Sequence, residues 1–65
     1  MPYLHVYALP RSPEVKAKAM KRLTDVIVEE CGTLTDQVHV IWHDVPADGI
    51  AKGGVTIAES KKAKG

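Results

Sequence analysis

Pro2, Arg11 and the three histidines are the residues of this chain whose chemistry stands out. Pro2 directly follows Met1. With the methionine removed, its ring nitrogen becomes a free secondary amine at the chain terminus. A reference α-amino group titrates at roughly 7.7–8.0. An apolar pocket or a nearby cation disfavours the protonated amine and lowers that value. Such a group is a general base usable near neutral pH, held in place by the strand it begins. The plainer reading is a proline at the start of an edge strand, where a missing N–H costs nothing. Arg11 stands one residue before Ser12, at a strand-to-helix junction. A guanidinium there can grip a carboxylate through two parallel hydrogen bonds, helped by the amides of a helix N-terminus. Taken alone, it reads equally as a solvated loop arginine.

The other chemical residues point to less. His5, His39 and His43 can share one sheet face, which raises a metal site. They lack the spacing of a zinc motif and have no carboxylate placed behind them, so no metal and no cofactor are expected. Cys31 is the only cysteine, which excludes an internal disulfide and suits a reducing compartment. It closes a helix and is read as structural. Gly53-Gly54 is too short for a phosphate loop, and no Gly-Lys-Ser/Thr follows. No Ser/His/Asp arrangement can be drawn.

These side chains need a scaffold, and 65 residues is below the size at which one core is comfortably stable. With disulfides and zinc set aside, partner subunits are the expected source of stability. Net charge is +1, too small for a nucleic-acid footprint. Lys61, Lys62 and Lys64 read as part of a flexible basic tail over residues 60–65, within a single domain spanning 1–65. No basic region precedes an apolar run, and no apolar stretch approaches the roughly 18 residues of a membrane span. The expectation is a soluble, cytoplasmic protein with neither nucleic-acid nor membrane partners.

Residues 3–9 alternate as a strand, with Leu4, Val6 and Ala8 on one face and Tyr3, His5 and Tyr7 on the other. Pro10 ends it. Ser12-Pro13-Glu14 starts a helix, by a cap, a pre-set φ and a negative charge at the positive dipole end. Gly32 stops the helix after Cys31. Its apolar arc, from Val15 to Cys31, covers more than half the circumference, wider than packing on one sheet requires. Residues 33–36 turn, and 37–45 form a second β-branched strand. Pro46 to Gly49 turns again, and Ile50 to Glu59 holds a small hairpin or capping strand around Gly53-Gly54. Strand, helix, strand makes a βαβ unit with parallel strands. The predicted fold class is α/β: a single βαβ unit with a short C-terminal hairpin, assembled as an oligomer. Its helix covers one sheet face, and nothing in the chain covers the face carrying Tyr3, Tyr7, His39 and Ile41.

On Pro-Tyr-Leu-His-Val-Tyr from Pro2, Arg11-Ser12-x-Glu14-x-Lys16, the helix segment around Thr24, Val38-His39-Val40-Ile41 and Gly53-Gly54, the chain resembles the 4-oxalocrotonate tautomerase family. The resemblance extends to about Ser60. It implies hexamers (of identical or of two related chains) and cofactor-independent 1,3-keto–enol tautomerisation of small 2-oxo or 2-hydroxy acids. It implies Pro2 as the catalytic base and Arg11 as the catalytic carboxylate anchor. It also implies that His39 and Ile50 line the substrate, donated by neighbouring subunits. Three features depart from the family pattern. His39 stands where a second arginine is usual, Ile50 where an aromatic is usual, and the segment from Pro2 to Arg11 is one residue shorter. Two other roles remain open: a superfamily enzyme using protonated proline as an acid in hydration, dehalogenation or decarboxylation, and a non-catalytic subunit of a mixed assembly.

Overall fold

The structure is a computed structural model that describes the backbone of residues 1–64 and side chains through Lys61. Strand β1 (Tyr3–Ala8) leads into helix α1 (Pro13–Cys31), which returns the chain to strand β2 (His39–Asp44). The two strands are parallel, in register from Tyr3 opposite His39 to Ala8 opposite Asp44. A parallel pair needs a crossover, and α1 supplies it. Two short strands, β3 (Ala51–Lys52) and β4 (Val55–Thr56), then form an antiparallel hairpin ahead of helix α2 (Ile57–Lys64). This is the predicted βαβ unit with its C-terminal hairpin.

The ends of α1 follow their chemistry. Ser12 is extended, and its Oγ accepts from the Val15 amide at 3.3 Å, satisfying one of the orphan donors of the first turn. Pro13 occupies the first turn, where its missing N–H is no loss. At the other end Gly32 adopts φ 67° and donates to the Val28 carbonyl at 3.1 Å. That left-handed conformation favours glycine, which has no Cβ to clash.

The face that α1 turns to the sheet is a single stripe: Lys16, Ala19, Met20, Leu23, Thr24, Ile27 and Val28 are half-buried. It meets the side of the sheet carrying the half-buried Leu4, Val6, Ala8, Val40 and Trp42. Lys16 belongs to this stripe because its ammonium reaches Asp44 at 2.8 Å, tying the start of α1 to the end of β2. The stripe is narrower than the apolar arc. Val15 and Val26 stay about half exposed, and Cys31 is exposed as well, so it is not a packing residue within one chain.

Among the described residues none is fully buried. The chain exposes 5022 Å², against about 4,100 Å² for a folded monomer of 7.1 kDa. Its radius of gyration is 15.3 Å, against about 11 Å for a compact chain of this length. The surplus of about 900 Å² matches one partner's share of a standard protein interface. A single chain is therefore a sheet with one covered face and an arm, not a domain with a core.

Three boundaries differ from the sequence expectation. β2 begins at His39 because Thr35–Gln37 winds into a 3-10 turn, taking those donors out of the ladder. β1 ends at Ala8, although Val45 still donates to the Ala8 carbonyl at 2.8 Å. The basic tail expected from Ser60 is helical through Lys64, while Gly65 lies outside the described residues. The signal for α2 was in the sequence: Thr56-Ile57-Ala58-Glu59 is a capping-box pattern, and the Thr56 Oγ1 accepts from the Glu59 amide at 3.1 Å. Between β3 and β4, Gly53 and Gly54 take φ of 62° and 84°, the two positive values that a tight hairpin turn needs.

Candidate active site

Parallel pairing sorts the four nominated residues into two pairs at opposite ends of the sheet. Pro2 precedes β1 and is half-buried, and its carbonyl accepts from the His39 amide at 3.0 Å. Pro2 and His39 therefore sit side by side at the end where both strands begin. Arg11 follows the other end of β1. Its Nη1 donates to the Leu9 carbonyl at 2.8 Å and to the Pro10 carbonyl at 3.1 Å, which pins the guanidinium to its own loop. Ile50 belongs to this second end. It follows a 3-10 turn (Ala47–Gly49) whose Gly49 lies against Val45, just beyond β2, and its carbonyl accepts from the Ile57 amide at 2.8 Å.

The distance between the pairs is set by the strand. The seven residue steps from Pro2 to Leu9 span about 23 Å at about 3.3 Å each. One small acid cannot touch Pro2 and Arg11 of the same chain. The two meet over one substrate only if the Pro2 end of one copy faces the Arg11 end of another.

The face not covered by α1 carries a layer of rings. Tyr3 stacks on His39, with centroids 4.7 Å apart and planes 15° from parallel. Tyr7 stacks on His43 at 4.2 Å and 7°. Between them His5 Nδ1 lies 2.9 Å from His43 Nε2. Tyr3 and Tyr7 remain 57% and 67% exposed, and Ile41 38%, so this layer is uncovered by the chain itself.

The three histidines do share a face but divide by partner. His39 is held elsewhere, its Nδ1 3.0 Å from the Gln37 carbonyl. His5 and His43 point their nitrogens at one another along a line that suits a shared hydrogen. Two lone pairs holding an ion must instead converge on it. Among the described residues no three metal-ligating side chains cluster. The stacking of both tyrosines on histidines was not foreseen, because it depends on strand register. The alternation of Tyr3-His5-Tyr7 against His39-Ile41-His43 was its only sequence signal.

Comparisons with known proteins agree with this fold. The family model described as tautomerase enzyme matches residues 2–60. A probable tautomerase of Lactococcus lactis subsp. lactis (strain IL1403) is 38% identical over 65 residues, covering 98% of this chain and 100% of that protein. Among solved structures, TomN, a 4-oxalocrotonate tautomerase homologue in the tomaymycin biosynthetic pathway, superposes with a TM-score of 0.93 at 31% identity. The match covers 98% of this chain and 100% of that one. The heterohexamer 4-oxalocrotonate tautomerase from Chloroflexus aurantiacus J-10-fl gives a TM-score of 0.85 at 28% identity, over 91% of this chain and 97% of that one. No helix among the described residues is long and apolar enough to cross a membrane.

Proposed function

The chain belongs to the tautomerase family, and from that premise we propose that it is an isomerase catalysing 1,3-keto–enol proton transfer on small 2-oxo or 2-hydroxy acids. The observation that carries the reading is that the family match begins at Pro2, the residue that the strand ladder anchors beside His39. Once Met1 is removed, the Pro2 nitrogen takes a proton from the enol hydroxyl or the α-carbon and returns it at the other end of the three-atom system. No metal or cofactor enters this scheme. Arg11 supplies the charge that holds the carboxylate and steadies the enolate. Two of its nitrogens, Nε and Nη2, make no hydrogen bond among the described residues and lie on one edge of the guanidinium, the fork a carboxylate needs. Ile50 contributes apolar wall and His39 a polar contact.

The active unit is an oligomer, because Pro2 and Arg11 of one substrate site must come from different copies. A hexamer is the expected form, its subunits covering the ring-bearing sheet face of one another. The Chloroflexus relative is a heterohexamer, so a second, related chain is the alternative source of the missing half-site.

Intact mass and kinetics test the reading together. The native protein should weigh one methionine less than the full sequence. Ketonisation of a simple enol acid should be lost in Pro2→Ala. Equal rates for wild type and variant would remove Pro2 from the mechanism. A retained Met1 would leave an amide that cannot act as a base.

A further inference from the structure

We propose that Lys16 and Asp44 are positioning residues for Arg11, their ion pair closing a ring of contacts around the loop that carries the guanidinium. This deepens the tautomerase reading and rests on Arg11 being its carboxylate anchor. The aim of Arg11 is set by backbone. Its Nη1 donates to the Leu9 carbonyl at 2.8 Å and to the Pro10 carbonyl at 3.1 Å. A guanidinium is a rigid plane, so two bonds from one nitrogen orient the edge formed by Nε and Nη2. Where those carbonyls point depends on residues 9–12, which belong to neither β1 nor α1.

Each end of this loop is held by the ion pair's own residues or their neighbours. On the strand side Val45, which follows Asp44, donates to the Ala8 carbonyl at 2.8 Å. On the helix side the Lys16 amide donates to the Ser12 carbonyl at 3.1 Å. Lys16 Nζ then reaches Asp44 Oδ2 at 2.8 Å and joins the two anchors. The ring runs from Ala8 through Arg11 to Ser12, across Lys16 to Asp44, and back through Val45. Elsewhere α1 meets the sheet through apolar contacts, which have no direction. The ion pair is what fixes the start of α1 against the end of β2, and with it the span the loop must bridge.

Stability is a poor explanation for the pair. The two side chains are 23% and 43% exposed, and ion pairs open to water add little to folding. A restraint of that strength still counts where geometry is read closely, because a slightly misplaced substrate-holding group slows a reaction without unfolding anything. The other ion pair, Lys21 with Asp25 at 3.2 Å, lies within α1 and ties it to nothing. It serves as the internal control.

Lys16→Met and Asp44→Asn test this in the assembled protein. Each should lower kcat/KM on a simple enol carboxylate about fivefold, the factor that about 1 kcal/mol carries, with little change in melting. The shared direction separates placement from charge. Lys16→Met removes a cation and Asp44→Asn an anion, so a role through charge alone would move carboxylate binding in opposite senses. Lys16→Arg, which keeps charge and reach, should retain most of the wild-type rate, and Lys21→Met should match the wild type. In an Arg11→Ala background, Lys16→Met should cost nothing more. Opposite changes in the two variants, wild-type rates in both, or a further loss without Arg11 overturns the proposal while leaving the tautomerase reading standing. That reading fails separately, on an active Pro2→Ala. Nitrogen-15 spectra give an answer that needs no turnover. Rotation of the Arg11 guanidinium should be slow in the wild type and faster in Asp44→Asn, with Arg22, the other arginine, unchanged. Equal Arg11 rotation in both proteins overturns the proposal.

Discussion

His5 and His43 share a single hydrogen across 2.9 Å, with their rings 11° from parallel and their centroids 5.2 Å apart. The centroid distance exceeds the nitrogen distance by about two ring radii. The rings therefore meet edge to edge, along a nearly straight N–H···N line. One nitrogen must donate and the other accept. The pair survives one added proton and is broken by two.

Acid should therefore loosen the ring-bearing face. Tyr3, Tyr7, His39 and Ile41 are the other residues on it, and none is a carboxylate that could offset a second charge. The hydrogen bond needs one bare nitrogen and is lost once both rings carry two N–H groups. Calorimetric melting of the wild type should fall more on acidification than melting of His5→Gln. Parallel curves for the two proteins would contradict this.

Mixing should rescue paired defects. Pro2→Ala and Arg11→Ala should each be nearly inactive alone. Refolded together they should recover a share of activity set by chance pairing, because one copy can supply Pro2 and its neighbour Arg11. No recovery in a mixture shown to contain both chains would place Pro2 and Arg11 in the same half-site.

Arg11 carries the substrate's charge in this scheme, so its loss should be selective. Removing a charged hydrogen-bond pair costs roughly 1.5–3 kcal/mol, or about 10- to 100-fold in kcat/KM. For Arg11→Ala on carboxylate substrates, KM should rise and kcat fall. Arg11→Lys should recover part of the loss, since a lysine keeps the charge but not the fork. An unchanged kcat/KM in Arg11→Ala refutes the assignment.

Ile41 lies at the middle of the uncovered face, opposite His5 in the register. Ile41→Glu places a charge where the proposed assembly excludes water, with no partner to compensate. Sedimentation should show smaller species and circular dichroism reduced structure, because none of the described residues of the separated chain is fully buried. A stable, full-sized oligomer would show that this face is not an interface.

Gly32→Ala tests a local feature. Nothing lies within 4 Å of a Cβ built there, so only the left-handed φ of 67° opposes the change. The cost should be about 1 kcal/mol, read as a lower unfolding midpoint. A neutral substitution would mean that the helix end relaxes.

Much of this architecture was legible in the residues because its causes are local. Ser12-Pro13 and Gly32 set the limits of α1, alternation set the faces of β1, and paired glycines set the hairpin turn. Thr56-Ile57-Ala58-Glu59 was equally local, but a Lys/Ala composition masked it as a tail. The width of the apolar arc indicated a neighbour, and the structure divides that arc into a stripe for the sheet and a remainder, including Val15 and Val26, left to solvent.

The sequence by itself determined that a strand–helix–strand chain too short for its own core would carry a proline at the head of its first strand. Only the tertiary structure decided which chemical residues can meet. Strand register is a relation between residues 36 apart in the chain, as in Tyr3 opposite His39, and no local preference encodes it. That register sends Pro2 and His39 to one end and Arg11 and Ile50 to the other. It also pairs His5 with His43. The reach of an extended strand, longer than any small acid, is the physical reason a site that uses both Pro2 and Arg11 has to be shared between chains.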